Sequence, residues 1–173
     1  MAQTYDAIAS YSFPSAANNF TFTSIPTTYT DLVLVANVTY QSLGGSTGYP
    51  LIRVGNGTVD TGTSYSYRFI YSDTGSVVTN GSGANSNFYN TIMNQTGSTQ
   101  STGIFHFQNY ANTSIWKTII NRMNNGAITI TGTSATACLW RSTSAINTIQ
   151  FFDYSNYNFA AGSTLSLFGI KAA

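Results

Sequence analysis

Few side chains in this sequence could do chemistry, and they can be taken one at a time. His106 is the only histidine. Any nucleophilic triad built on imidazole must therefore use it, with a serine and an aspartate brought to its two ring nitrogens. It stands in "GIFHFQNY" between Phe105 and Phe107. The two-residue period of a strand turns it to the face opposite those rings, which reads more simply as a surface or interface histidine. Paired carboxylates for glycoside cleavage would need two of Asp6, Asp31, Asp60, Asp73 and Asp153, since the chain has no glutamate. Asp60 and Asp73 are expected in loops, where turn formation accounts for them. Cys138 is alone and sits in the apolar run "ATACLW". No disulfide can form within the chain, and nothing nearby would lower the thiol pKa, so it reads as a small buried hydrophobe.

Metal and phosphate chemistry find little more. One histidine and one cysteine cannot make a zinc site of the usual kind. Asp60 with loop carbonyls is the one arrangement left for calcium. The glycine-rich "LGGSTG" and "TNGSGANSN" neither precede a helical pattern nor carry the P-loop lysine. Asn-x-Ser/Thr triplets, as at Asn37, Asn56, Asn94 and Asn112, follow from the composition. The expectation is no catalytic residue, no cofactor and no metal.

The elements that must carry these residues are strands. Phe20 and Phe22 alternate with Thr21 and Thr23, Ile128 and Ile130 with Thr129 and Thr131, and "TLSLFGI" pairs Leu165 with Leu167. Such alternation is the signature of half-buried antiparallel strands. "DLVLVANV" is apolar on both faces over Leu32 to Val35 and suits a central strand covered on both sides. Further strands are expected at 5–12, 51–54, 64–71, 115–121, 135–141 and 146–152, about ten or eleven in all. Leu165, Leu167 and Ile170 are expected to face the core. No amphipathic helix is apparent. Short strands separated by Gly- and Asn-rich turns predict one all-β domain over residues 1–173, an antiparallel β-sandwich of the jelly-roll type. Residues 74–102 read as long loops with one short strand at 88–93.

Composition bounds the partners. Charged residues make up 6% of the chain, against about 25% in ordinary soluble domains. A surface of hydroxyls and amides resists association weakly, which suits a subunit of an assembly. The six cations are scattered singly through the sequence and the net charge is +1, so neither direct nucleic-acid binding nor a membrane surface is expected. No stretch approaches the roughly 20 apolar residues of a membrane span, and the first residues carry no secretion signal, so synthesis in a host cytoplasm is expected. Twelve Tyr and eleven Phe are generous for 173 residues. "SYSYRFIY" puts Tyr65, Tyr67, Phe69 and Tyr71 on one strand face, and "FFDYSNYNF" adds Tyr154 and Tyr157. The plain reading is a core stripe. The sharper one makes Tyr65, Tyr67, Tyr71, Tyr154 and Tyr157 a candidate interface, because tyrosine joins a large apolar area to a polar tip.

Several phrases together carry a resemblance: "YDAIASYSF", "FTFTSIPTTYTDLVLVANV", "DTGTSYSYRFIY", "LWRSTSAINTI" and "NFAAGSTLSLFGIKAA". In this order they resemble a family of small all-β virion proteins of tailed phages, described as capsid decoration or tail-fibre proteins. "RVGNGTVDTG" is longer here than the compact turn common in that family. The resemblance implies a virion structural protein, a decoration or cement subunit on the outer shell. Its partners would be itself, as a homo-oligomer such as a trimer, and the major capsid protein. The alternative is a tail-fibre or receptor-binding module that recognises surface glycan. No catalytic residue is implied.

Overall fold

The computed structural model describes residues 4–44, 48–73, 76–88, 99–125 and 132–171. Twelve strands lie among them: β1 (Tyr5–Ser12), β2 (Asn19–Phe22), β3 (Asp31–Val38), β4 (Pro50–Asn56), β5 (Thr58–Val59), β6 (Tyr65–Asp73), β7 (Ser76–Asn85), β8 (Ser101–Gln108), β9 (Lys117–Asn125), β10 (Gly132–Trp140), β11 (Thr148–Asp153) and β12 (Thr164–Ile170). No helix occurs among the described residues. All strand pairs are antiparallel and form two sheets, ordered β1-β12-β3-β8-β9-β10-β6-β7 and β2-β11-β4-β5.

The pairing order identifies a jelly roll. β1 pairs with β12, β2 with β11, β3 with β8 and β4 with β5. One long antiparallel ribbon rolled up, with alternate rungs falling in opposite sheets, produces this set of neighbours. The strands left over are β6 and β7, between β5 and β8 in the chain, and β9 and β10, between β8 and β11. They extend the large sheet beyond β8 in the order β9-β10-β6-β7. The large sheet is thus half sandwich wall and half extension.

The core follows from period-two alternation on facing strands. Leu32, Leu34, Phe105, Phe107, Leu165 and Leu167 of the large sheet are buried with Phe22, Ile52, Val54, Ile149 and Phe151 of the small one. Phe105 meets Phe151 edge to face at 6.3 Å between ring centres, a favoured aromatic geometry across a sandwich. Each such side chain contributes roughly 1.5–3 kcal/mol on burial. At one end Asp153 is buried and accepts hydrogen bonds from Tyr40 Oη at 2.5 Å, Tyr49 N at 2.6 Å, and Ser155 N and Tyr157 N at 2.9 Å. Four donors are what a buried carboxylate needs.

Three expectations are corrected. Ile170 is half-buried, because it is an odd number of residues from Leu165 and Leu167 and so falls on the opposite face of β12. The stretch read as loops carries β7, ten residues long, at the edge of the large sheet. Its Ser, Asn and Gly residues show no apolar alternation, since an edge strand is held by the backbone ladder to β6 and buries little. Val33 and Val35 of β3, expected under a covering layer, line a shallow depression on the outer side of the large sheet with Ile104, His106 and Phe168. Phe88 bridges to Ile52 of β4, while the rest of the expected short strand at 88–93, and Ile128 and Ile130, lie outside the described residues.

Candidate interaction face

The residues singled out for chemistry are placed in structural roles. His106 Nε2 lies 2.8 Å from Asp31 Oδ2, a pair seventy-five residues apart that no local pattern could foretell. Asp31 Oδ1 also accepts from Asn109 N at 2.7 Å and caps the turn after β8. Asp60 accepts from Gly62 N at 2.7 Å and Trp140 Nε1 at 2.8 Å. Among the described residues no three His, Cys, Asp or Glu side chains gather as metal ligands. Cys138 is buried on β10, between β9 and β6, and desolvation pushes its thiol far above the ordinary value. Lys117 is buried without a carboxylate: its ammonium donates to the carbonyls of Ile115 at 2.7 Å and Thr143 at 3.2 Å, and desolvation lowers its pKa.

The tyrosines are not brought together. Tyr65 is fully buried, packs on Phe88, and exchanges hydrogen bonds with Val54 N and O, so it ties the extension to β4. Tyr67, Phe69 and Tyr71 continue from it along β6 as half-buried rings 6.1 and 5.8 Å apart. Tyr157 packs half-buried against the core, and Tyr154 is 65% exposed on the turn after β11. Tyr65 is therefore a core residue, Tyr67 and Tyr71 stay in a row with it on β6, and Tyr154 and Tyr157 lie apart after β11, where Tyr154 stands well into solvent. Ile115 and Trp116, expected to open the strand at 115–121, instead lie exposed in the turn just before β9.

A coherent surface appears on the outer side of the large sheet, away from the sandwich core. Ile104, Ile120 and Ile70 take the outward positions of β8, β9 and β6, with Val77 on β7 and Tyr5 on β1, and all five are exposed. The register sets two rows across the extension. Arg68 lies opposite Ala137, which lies opposite Ile120; Ile70 lies opposite Ala135, which lies opposite Arg122. The two alanines form a trough on β10, with an isoleucine and an arginine on each side. Four shallow depressions of 330–380 Å³ cross this face and run into one another. Arg122 joins the first, lined by Tyr5, Val35 and His106, to the second; Ile70 and Ala135 join the second to the third; Arg68 and Ala137 join the third to the last. Exposed apolar patches are where interaction sites are commonly found, which makes this face the candidate.

No family model and no curated protein matches the chain. Among solved structures, it is similar to a variant of the alginate lyase Aly36B in complex with alginate tetrasaccharide, at 10% identity and TM-score 0.33, over 95% of this chain and 80% of that one. It is also similar to the CBM2 module of the evolved Dit of Lactobacillus casei BL23 phage J-1, at 11% identity and TM-score 0.31, over 95% and 77%. These likenesses are distant, and they bear on neither ligand nor partner.

Proposed function

We propose that this chain is a structural subunit of a phage virion that decorates the outer shell and attaches through the outer face of its large sheet. The observation that carries the reading is that face: a broad surface of Ile70, Ile104, Ile120, Ala135 and Ala137, exposed together on the outer side of the large sheet. The phrases that resemble virion proteins supply the setting. The mechanism is adhesive. Burying the exposed isoleucines releases ordered water and supplies the driving force, and many copies on one particle multiply modest contacts into firm attachment. A symmetric homo-oligomer belongs to the same reading, with closed rotational symmetry and contacts made by other surfaces than this one.

Counting copies in purified particles by quantitative mass spectrometry tests the reading. Hundreds per virion are expected of a shell subunit, and absence from particles would overturn it. A few to a few dozen copies would favour the second reading, a tail module that recognises glycan. The exposed ring of Tyr154, beside Ser155 and Asn156 on one turn, is the observation on its side, since sugars stack on free aromatic faces.

A further inference from the structure

We infer that the outer face of the large sheet is built for a partner protein that presents carboxylates, and not for a second copy of this chain. The inference rests on the docking role proposed above and names the chemistry of its occupant.

Four of the six cations are engaged within the fold. Lys171 pairs with Asp6 at 2.5 Å. Arg53 donates to Ser86 O at 3.0 Å and lies over the Phe152 ring. Lys117 donates to two carbonyls, and Arg141 Nη2 donates to Thr63 O at 2.5 Å. That leaves Arg68 and Arg122, both exposed, neither with a hydrogen bond or ion pair among the described residues. These two stand on the same face, at diagonal corners of the trough.

Their placement is approximately two-fold symmetric. A half-turn about the sheet normal at Thr136 exchanges Arg68 with Arg122, Ile70 with Ile120 and Ala137 with Ala135. Strand spacing and rise put the two arginine Cα atoms about 12 Å apart. Arg68 is also held in place. Gly81 lies opposite it on β7, and a Cβ there would fall 2.3 Å from Arg68 Cδ and 2.9 Å from Arg68 Nε. The missing side chain is the bed on which the arginine stem lies.

Among the described residues, nothing in the chain answers these arginines. It has no glutamate, and the four aspartates with described side chains are engaged: Asp6 by Lys171, Asp31 by His106 and Asn109, Asp60 by Trp140 and Gly62, Asp153 by its four donors. Two copies stacked on this face would gather four arginines over an apolar contact, with no free carboxylate among the described side chains to answer them. Like charges at a contact disfavour such pairing. A partner with two carboxylates flanking apolar residues satisfies both the fork geometry of arginine and the aliphatic trough. Sugar rings would need aromatic platforms, and this part of the face has aliphatic residues instead.

Two measurements test this. In the first, poly-L-glutamate is titrated into the soluble protein while the arginine Nε–Hε NMR signals are followed. Arg68 and Arg122 should shift together, and Arg53 and Arg141 should not; no shift at Arg68 and Arg122 would overturn the inference without reference to any virion. In the second, Arg68→Gln, Arg122→Gln and the control Lys171→Gln are compared in rebinding to particles stripped of the protein. Each arginine variant should bind about tenfold more weakly, the size of one charge-assisted contact, with Arg68→Lys retaining part of the affinity and Lys171→Gln equal to wild type. Wild-type protein that binds no particles would sink the virion reading alone. Protein that binds undiminished after loss of both arginines would sink the charge inference alone. Release from particles by polygalacturonate but not by poly-L-glutamate would assign the face to an anionic glycan, and an oligomer broken by either arginine variant would assign it to a second copy; both results overturn the inference.

Discussion

The Trp140 indole donates its Nε1 hydrogen to Asp60 Oδ2 at 2.8 Å, joining residues eighty apart in the chain. Trp140 ends β10 in the extension, and Asp60 follows β5 at the edge of the small sheet. With Tyr65 bonded to Val54, this contact fixes the extension to the sandwich and so sets the angle of the outer face.

The join should be pH-dependent. Burial raises the Asp60 pKa, but hydrogen bonds from Trp140, Gly62 and Ser64 together outweigh it, and the net shift is downward. A carboxylate whose pKa is lower when folded contributes stability above its unfolded value, about 3.9. That contribution is lost as pH falls through the folded value. Asp60→Ala should cost about 1–3 kcal/mol at neutral pH, because the buried indole N–H loses its acceptor. Melting curves should show the gap between wild type and variant closing below about pH 4. A gap independent of pH would mean that the carboxylate charge plays no part.

Cys138 should be inert. Its side chain is buried on a strand paired on both sides, and desolvation holds the thiol protonated. A thiol reagent should label native protein only at the rate of unfolding, and promptly in denaturant. Rapid labelling without denaturant would contradict the placement of β10.

The last strand should behave as an interior one. β12 lies between β1 and β3, so removal of residues 163–173 should abolish cooperative folding. Leu165→Ala and Leu167→Ala should each cost about 2–5 kcal/mol. Ile170→Ser, on the outer face, should cost under about 1 kcal/mol. Equal effects at all three positions in a denaturant titration would refute the face assignment.

The sequence announced its strands more clearly than their neighbours. β1 and β3 have the expected bounds, and β12 follows the "TLSLFGI" alternation, because each places apolar residues on a packed surface. The jelly-roll class was readable from turn spacing. The extension was not, since nothing local tells β9 that β10 and β6 follow it in the sheet. β7 was missed because its backbone, and not its side chains, holds it. The tyrosine stripe was seen, but its burial depends on Val54 and Phe88, which lie elsewhere in the chain. The outer face was half visible: alternation set Ile120 opposite Ile119 and Ile70 opposite Phe69. Outward positions read as solvent-facing until the register aligned Ile70, Ala135 and Arg122 in one row. Of the cations, scattered singly in the sequence, the two without a partner among the described residues stand on that one surface.

The central claim is that this protein works by docking the trough on β10, and Ala135→Arg tests it most directly. Ala135 is exposed at the middle of the face, so a large charged side chain there fills the trough while touching no core residue. Surface changes of this kind shift stability by about 0.5 kcal/mol or less. Rebinding to stripped particles, measured alongside the melting temperature, gives the decision. Docking through the trough requires binding weakened at least a hundredfold with the melting temperature nearly unchanged. Wild-type binding by a folded Ala135→Arg protein would contradict it.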